Sequence, residues 1–244
     1  MAATSLFQIE TGEISEETKY VAVVELRETE DIVAEGYKEL RQLLAADSSL
    51  FYHTDDDFLR IFLRPCKYYA KSAYNLMKRI ANYKDKYNDT FGNILPHMVK
   101  EIILPSNIFN ILLNRDQKGR RVLICYSKNW DPSTITGDEL LQGVYLLHLI
   151  ALLEPETQVR GIVVIIDCQA WKIVKPLLVR KAARRVILHG KDMTNLHKYL
   201  LPCHLPEDFG GDLPKIWYTG RDWYPEIEQQ TEFIKRWHAC GRRR

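Results

Sequence analysis

A chain of 244 residues, 46% hydrophobic and 27% charged, has the apolar content for a sizeable core in one large domain or two smaller ones. Its formal net charge of +2 argues against a nucleic-acid partner met through overall basicity, so any anionic partner must meet a local patch. Five cysteines (Cys66, Cys125, Cys168, Cys203 and Cys240) are scattered without a CxxC pair or Cys/His ligand spacing, and residues 1–17 lack a basic stretch before an apolar run; the expectation is reduced thiols, no structural metal, no signal peptide and a cytoplasmic location.

The N-terminal third reads as helices. Residues 15–46 are rich in helix formers, with Val21, Val24, Ile32, Leu40 and Leu43 spaced for one face, and predict one long helix. Thr54 followed by Asp55, Asp56 and Asp57 is a helix-start signal, with the Thr54 hydroxyl as the expected cap. Phe58, Leu59, Phe62 and Leu63 supply that helix's buried stripe, and Pro65 ends it. A further helix is expected over residues 70–87.

The period then changes. Residues 108–113, the turn NRDQKGR and residues 122–126 read as a hairpin, with Gly119 as the permissive turn residue. Thr136 and Glu139 have the spacing of a capping box, and the helix they open, residues 138–153, is apolar around most of its circumference. It is interrupted by His148 and is too short to span a bilayer. Wrapping on all sides calls for more protein or an apolar ligand. GIVVIID, residues 161–167, is a β-branched run of the kind found in a parallel strand buried on both faces, so strand, helix and strand make a βαβ unit and the fold class is α/β. Residues 170–184 can form a crossover helix to a strand over residues 185–189, and LPEDFGGDLP is a pinned, non-repetitive loop around Gly210 and Gly211.

Catalytic motifs are absent: there is no phosphate loop, no GxGxxG, no GxSxG elbow and no HExxH. Asp167 ends a parallel strand, where ligand crevices form, but it has no base, nucleophile or metal cluster beside it, and Cys125 and Cys168 have no nearby histidine in sequence. No catalytic residue, and so no enzyme, is expected.

The wording of four blocks is more specific than their periodicity. DDDFLRIFLRPCKYYAKSAYNLM, GRRVLICYSKNWDP, ETQVRGIVVIID and RVILHGKDMTNLHKYLLPCHLPEDFGGDLP resemble the CRAL-TRIO family of lipid carriers, in wording nearest its tocopherol and retinaldehyde carriers, from about residue 54 to residue 218. The resemblance implies a helical module over residues 1–92, a lipid-binding domain of mostly parallel sheet flanked by helices over residues 93–220, and a C-terminal helix and tail over residues 221–244. It implies a pocket lined by Ile124, Leu141, Val144, Tyr145, His148, Ile162, Val164, Ile166, Val174 and Leu178, holding one small hydrophobic ligand and no other cofactor. Between Cys168 and Lys191 there is no acidic residue, and Arg180, Lys181, Arg184 and Arg185 form two basic ridges one helical turn apart. Relatives bind phosphoinositides at the positions of Lys181 and Arg185, so a monomeric carrier that docks reversibly on anionic phosphoinositide membranes is implied, with a lipid-sensing scaffold as the alternative. The family's further basic residue after its FLR motif is Cys66 here.

One departure is larger. In the family the strand ending at Asp167 is followed by a turn, a helix, another parallel strand and the start of a gate helix, whereas here Gln169 runs directly into AWKIVKPLL, which matches the later part of that gate helix. The chain is therefore expected to be internally shortened, missing a strand and part of its gate, with an open, weakened pocket and reduced stability; a poorly functional isoform is the corresponding second alternative.

Overall fold

The computed structural model describes residues 6–167, 187, 189 and 193–243. Ser15 opens the first helix, α1 (Glu16–Leu26): its side chain accepts from the Thr18 amide, and Glu16 and Glu17 meet the positive helix end. The single helix expected over residues 15–46 is broken at Arg27, which takes a left-handed φ of 63°, and the chain resumes as α2 (Glu30–Ala45). The break lets Glu28 turn inward to the buried Arg64, whose Nη2 and Nε donate to its carboxylate at 2.8 and 3.0 Å. A buried guanidinium without a partner costs more than a few weakened helical turns, so this long-range pair outweighs local propensity.

Asp55, rather than Thr54, caps α3 (Asp56–Leu63), accepting from the Phe58 amide, while the Thr54 carbonyl accepts from Arg41. The offset of one residue still buries Phe58, Leu59, Phe62 and Leu63. A tight turn through Pro65, with Lys67 and Tyr68 both at positive φ, leads to α4 (Ala70–Lys86), α5 (Asn88–Phe91) and α6 (Pro96–Ser106).

The hairpin forms as expected. Strand β2 (Phe109–Ile111) runs antiparallel to β3 (Arg121–Tyr126), and Gly119 holds a φ of 73° in the turn. The capping box of Thr136 and Glu139 opens α7 (Gly137–Ala151), α8 (Pro155–Arg160) follows, and β4 (Ile162–Asp167) returns parallel to β3. With β1 denoting Leu50–Phe51, the strand order of the main sheet is β2-β3-β4. The molecule is thus mixed α/β, as the patterning predicts. Burial of β4 on both faces is not found: Val164 is 45% exposed, and among the described residues β4 pairs only with β3.

Register divides the sheet into two faces. Leu123 lies beside Val164 and Cys125 beside Ile166, so these four share a face with Ile162; Ile124 lies beside Ile165 on the other. Helix α7 covers the first face so closely that a Cβ on Gly143 would come within 2.7 Å of the Phe109 ring. The second face is covered by Leu196 of α9 (Thr194–His197), Leu200, Leu205 and Phe209. The loop that presents them is pinned as its glycines suggest: Gly210 has a φ of 67°, and any side chain on Gly211 would collide with the Leu205 carbonyl.

The C-terminal residues return to the helical module as α10 (Gly220–Gln229), α11 (Thr231–Ala239) and β5 (Gly241–Arg242), which pairs antiparallel with β1. Trp237 stacks face to face on Phe62, ring centroids 5.6 Å apart, and the buried Lys84 donates to the carbonyls of Trp237, His238 and Cys240 at the end of α11. The crossover helix and strand expected over residues 170–189 lie outside the described residues, save Ile187 and His189.

Candidate functional site

Helix α7 has a closed side and an open side. Leu140, Gly143, Leu146, Leu147, Leu149 and Ile150 are buried, whereas Leu141 and Val144 are half-buried and His148 is exposed. Positions 141, 144 and 148 are spaced by three and four residues, so they form one stripe along the helix. His148 is therefore not a core histidine; its Nδ1 lies 2.8 Å from the Val144 carbonyl of the preceding turn. That bond spares the ring a partner elsewhere and leaves Nε2 as the one free polar group on an otherwise apolar stripe.

The first face of the sheet, the one α7 covers, continues past the helix on β4. Ile162 packs against the main core, while Val164 is exposed and Ile166 half-buried. Helix α7, which carries Leu141, Val144 and His148, therefore lies on the side of the sheet to which Ile162, Val164 and Ile166 belong. Six of the residues expected to line a pocket are of this set.

Two expected lining residues are not. Ile124 is 1% exposed and points to the opposite face, into the cluster with Leu196, Leu205 and Phe209. Strand alternation separates it from Leu123 by half a period, so a wall that contains Val164 contains Leu123 and excludes Ile124. Tyr145 faces the helical module, where its hydroxyl accepts from Trp237 Nε1 at 2.8 Å and its ring lies 5.1 Å from Phe91; burial pushes this phenol up to about 12. It joins helices and leaves the wall. Val174 and Leu178, and the basic residues Arg180, Lys181, Arg184 and Arg185, lie outside the described residues.

The sequence patterning missed Phe7. A strap over residues 6–10 crosses the edge of the sheet, with Leu6 donating to the Asp222 carbonyl and Ile9 to the Glu226 carboxylate. Phe7 is buried among Ile111, Leu123, Leu147 and Ile150, closing the space between α7 and the sheet from below. Beside it, a cleft of about 390 Å³ is bounded by Leu6, Gln8, Glu10, Leu113 and Arg121. Nothing in the amphipathic spacing of so short a segment marks it as core.

At the far end of β4, Ser127 Oγ donates to the Asp167 carbonyl, which ties the strand end to the turn after β3. No group of three or more histidine, cysteine or carboxylate side chains that could hold a metal occurs among the described residues, and no helix there is long and apolar enough to cross a membrane.

A family model described as the CRAL/TRIO domain matches residues 106–172. Clavesin-1 of Pongo abelii is 27% identical over 249 aligned positions, covering 82% of this chain and 70% of its own. Clavesin-1 of Rattus norvegicus is 26% identical over 288 positions, covering 93% and 80%, and Clavesin-2 of Homo sapiens is 29% identical over 249 positions, covering 82% and 76%. The family match covers two of the four resembling blocks, GRRVLICYSKNWDP and ETQVRGIVVIID.

Proposed function

We propose that this chain, a CRAL/TRIO protein, binds one small hydrophobic molecule of the tocopherol, retinoid or phospholipid class and exchanges it at phosphoinositide-bearing membranes, without catalysing a reaction. The observation that carries this reading is the partly open apolar stripe of α7. A helix on a sheet buries one face and turns polar residues outward; α7 instead turns Leu141, Val144 and a single histidine outward. Apolar walls with one polar group are what a site for a lipophile with a small polar head requires.

Val144→Arg should abolish uptake of a fluorescent retinoid, tocopherol or phosphatidylinositol analogue while leaving the far-UV helical signal intact, because the arginine can reach water from the half-buried open stripe without unfolding α7. Binding unchanged from a wild type that binds would remove the stripe from the site. A wild type that binds but does not speed movement of the probe between vesicles would favour a sensor over a carrier.

Membrane docking is the finer part of the proposal and rests on the basic ridges alone. Each basic residue near an anionic leaflet contributes about 1 kcal/mol. Reversing Lys181 and Arg185 to glutamate should therefore weaken binding to phosphatidylinositol bisphosphate vesicles far more than to neutral ones. The difference should shrink with salt, since exposed charges are screened beyond about 10 Å at 0.1 M. Equal loss on both vesicle types would overturn the docking assignment.

A further inference from the structure

We infer that the exposed face of α4 is a further membrane-docking surface, which holds the helical module against an anionic lipid bilayer by charge and without selecting a headgroup. It stands on different residues from the docking proposed for Lys181 and Arg185 and does not rest on the reading of the chain as a lipid carrier.

Lys71, Asn75, Lys78, Arg79, Asn82 and Lys86 recur along α4 at intervals of three and four, with positions 78 and 79 side by side, so they form one stripe. At 1.5 Å per residue the stripe is about 22 Å long. All six are exposed except Lys78, which is half-buried. The other side of the helix buries Ala73, Met77 and Ala81, and its main neighbours, α2, α3, α5 and β5, all lie within the described residues.

What separates this stripe from an ordinary solvated face is that its charge is not neutralised. Exposed lysines on other helices pair with a carboxylate three residues away, as Lys19 does with Glu16 and Lys235 with Glu232. Among the described residues, Lys71, Arg79 and Lys86 have no carboxylate within 4 Å. Asp47 lies 3.7 Å from Lys78 but is turned inward, accepting from Ser49 and from the Tyr74 hydroxyl. Asp85, at the edge of the stripe, is the one acid on α4. Strand β5 adds a further cation: Arg242 donates Nε and Nη2 to Asn82 Oδ1 at 3.0 and 2.7 Å, and Nη1 to Ser49 Oγ at 3.2 Å. Both acceptors are neutral, so the guanidinium is fixed beside the stripe with its charge uncompensated and further N–H groups left for an anion.

The aromatic neighbours favour a bilayer over a nucleic acid. A single strand needs open ring faces on which to stack its bases. Tyr83 and Tyr87 stand next to the stripe, 46% and 39% exposed, but their faces are taken. Their ring centroids lie 4.7 Å apart, Phe91 stacks on Tyr83 at 5.6 Å, and the Lys86 ammonium sits 4.9 Å from the Tyr87 centroid. Exposed phenols whose rings are packed among themselves, beside a row of cations, suit the headgroup level of a membrane. Near an anionic leaflet each unpaired cation changes partitioning about fivefold.

The test is co-sedimentation of the full chain with phosphatidylcholine vesicles made with or without phosphatidylserine, at about 0.1 M salt. Arg79→Gln combined with Lys86→Gln should weaken partitioning onto the phosphatidylserine vesicles at least about tenfold, and Asp85→Lys should strengthen it about fivefold or more. Neither should alter partitioning onto neutral vesicles, and both effects should shrink as salt rises. The loss should be as large in the chain whose Lys181 and Arg185 are reversed, because the two surfaces act separately. A wild type with no preference for phosphatidylserine, or variants that partition as it does, would overturn the inference and leave the assignment of Lys181 and Arg185 standing. A loss seen only on phosphatidylinositol bisphosphate vesicles would also overturn it, by making the face headgroup-selective. Vesicle binding undiminished in a double variant that no longer binds a single-stranded oligonucleotide would give the face to nucleic acid instead. Should the double variant melt below the wild type, Asp85→Lys decides the matter alone, and no gain from it would mean that the stripe does not meet the membrane.

Discussion

Glu154→Ala is expected to destabilise the folded chain by about 3–5 kcal/mol, the usual result of stranding a buried charge. Glu154 and Arg121 are each 2% exposed, and two bonds join them: Arg121 Nε to Glu154 Oε2 at 3.0 Å and Nη2 to Oε1 at 2.6 Å. Arg115 adds a third at 3.0 Å, Thr157 donates its hydroxyl, and the Glu10 amide closes the set. Glu10 in turn accepts from Arg121 and Arg115, so the cluster holds β3, α8 and the N-terminal strap together. Alanine removes the buried carboxylate of this cluster and leaves the Arg121 guanidinium with Glu10, which is half in water, and two long contacts to the carbonyls of Leu112 and Leu113. Urea unfolding, with midpoint and slope fitted separately, measures the loss; a change below about 1 kcal/mol would show that Glu10 alone compensates.

The same cluster sets an acid limit. Burial alone would push the Glu154 carboxyl up, but the hydrogen bonds and charge of Arg121, with help from Thr157 and Arg115, outweigh burial and hold it below the ordinary glutamate value. Glu156, bonded by Thr18 and Ser15, moves the same way for the same balance of reasons. A lowered carboxylate binds fewer protons folded than unfolded, so its stabilisation is present above the unfolded value and is lost as pH falls through the folded one. Glu154→Gln should therefore be less stable at neutral pH and show a flatter decline in melting temperature below about pH 4.5. A decline as steep as in the wild type would assign the acid limit to other groups.

What could be read from the sequence was what is local. The hairpin about Gly119 and the capping box at Thr136 depend on neighbours a few residues away and form as expected, and GIVVIID forms the parallel strand expected of it though not the burial on both faces. The loop at Gly210 and Gly211 also forms as expected, and its sequence carries part of the resemblance to the CRAL-TRIO family. The misplaced features need distant partners. The break at Arg27 exists because Glu28 pairs with Arg64, 36 residues on, and Tyr145 leaves the pocket wall because Trp237 reaches it from 92 residues away. Phe7 becomes core only because the strap meets Ile111 and Leu147. For Ile124 local patterning suffices: alternation along β3 places it on the face opposite Leu123 without any tertiary partner.

Trp237→Ala should cost about 3–5 kcal/mol, the range for emptying a buried tryptophan site. The indole is 5% exposed, lies parallel to Phe62 with Phe58 and Phe233 at its edges, and sends Nε1 to Tyr145. It is thus the point at which α11 meets both the helical module and α7. Its removal also loosens the end of α11, whose carbonyls Lys84 satisfies from within the module, so the helix loses its packing and its cap together. Trp237→Phe separates the two contributions, keeping an aromatic face on Phe62 while stranding the Tyr145 hydroxyl. That variant should lose about 1–3 kcal/mol, and adding Tyr145→Phe should recover part of it, because the orphaned hydroxyl is then gone. A double-mutant cycle with no coupling between positions 145 and 237 would mean that the hydroxyl finds water instead, and that α7 is held to the C-terminal helix by ring packing alone.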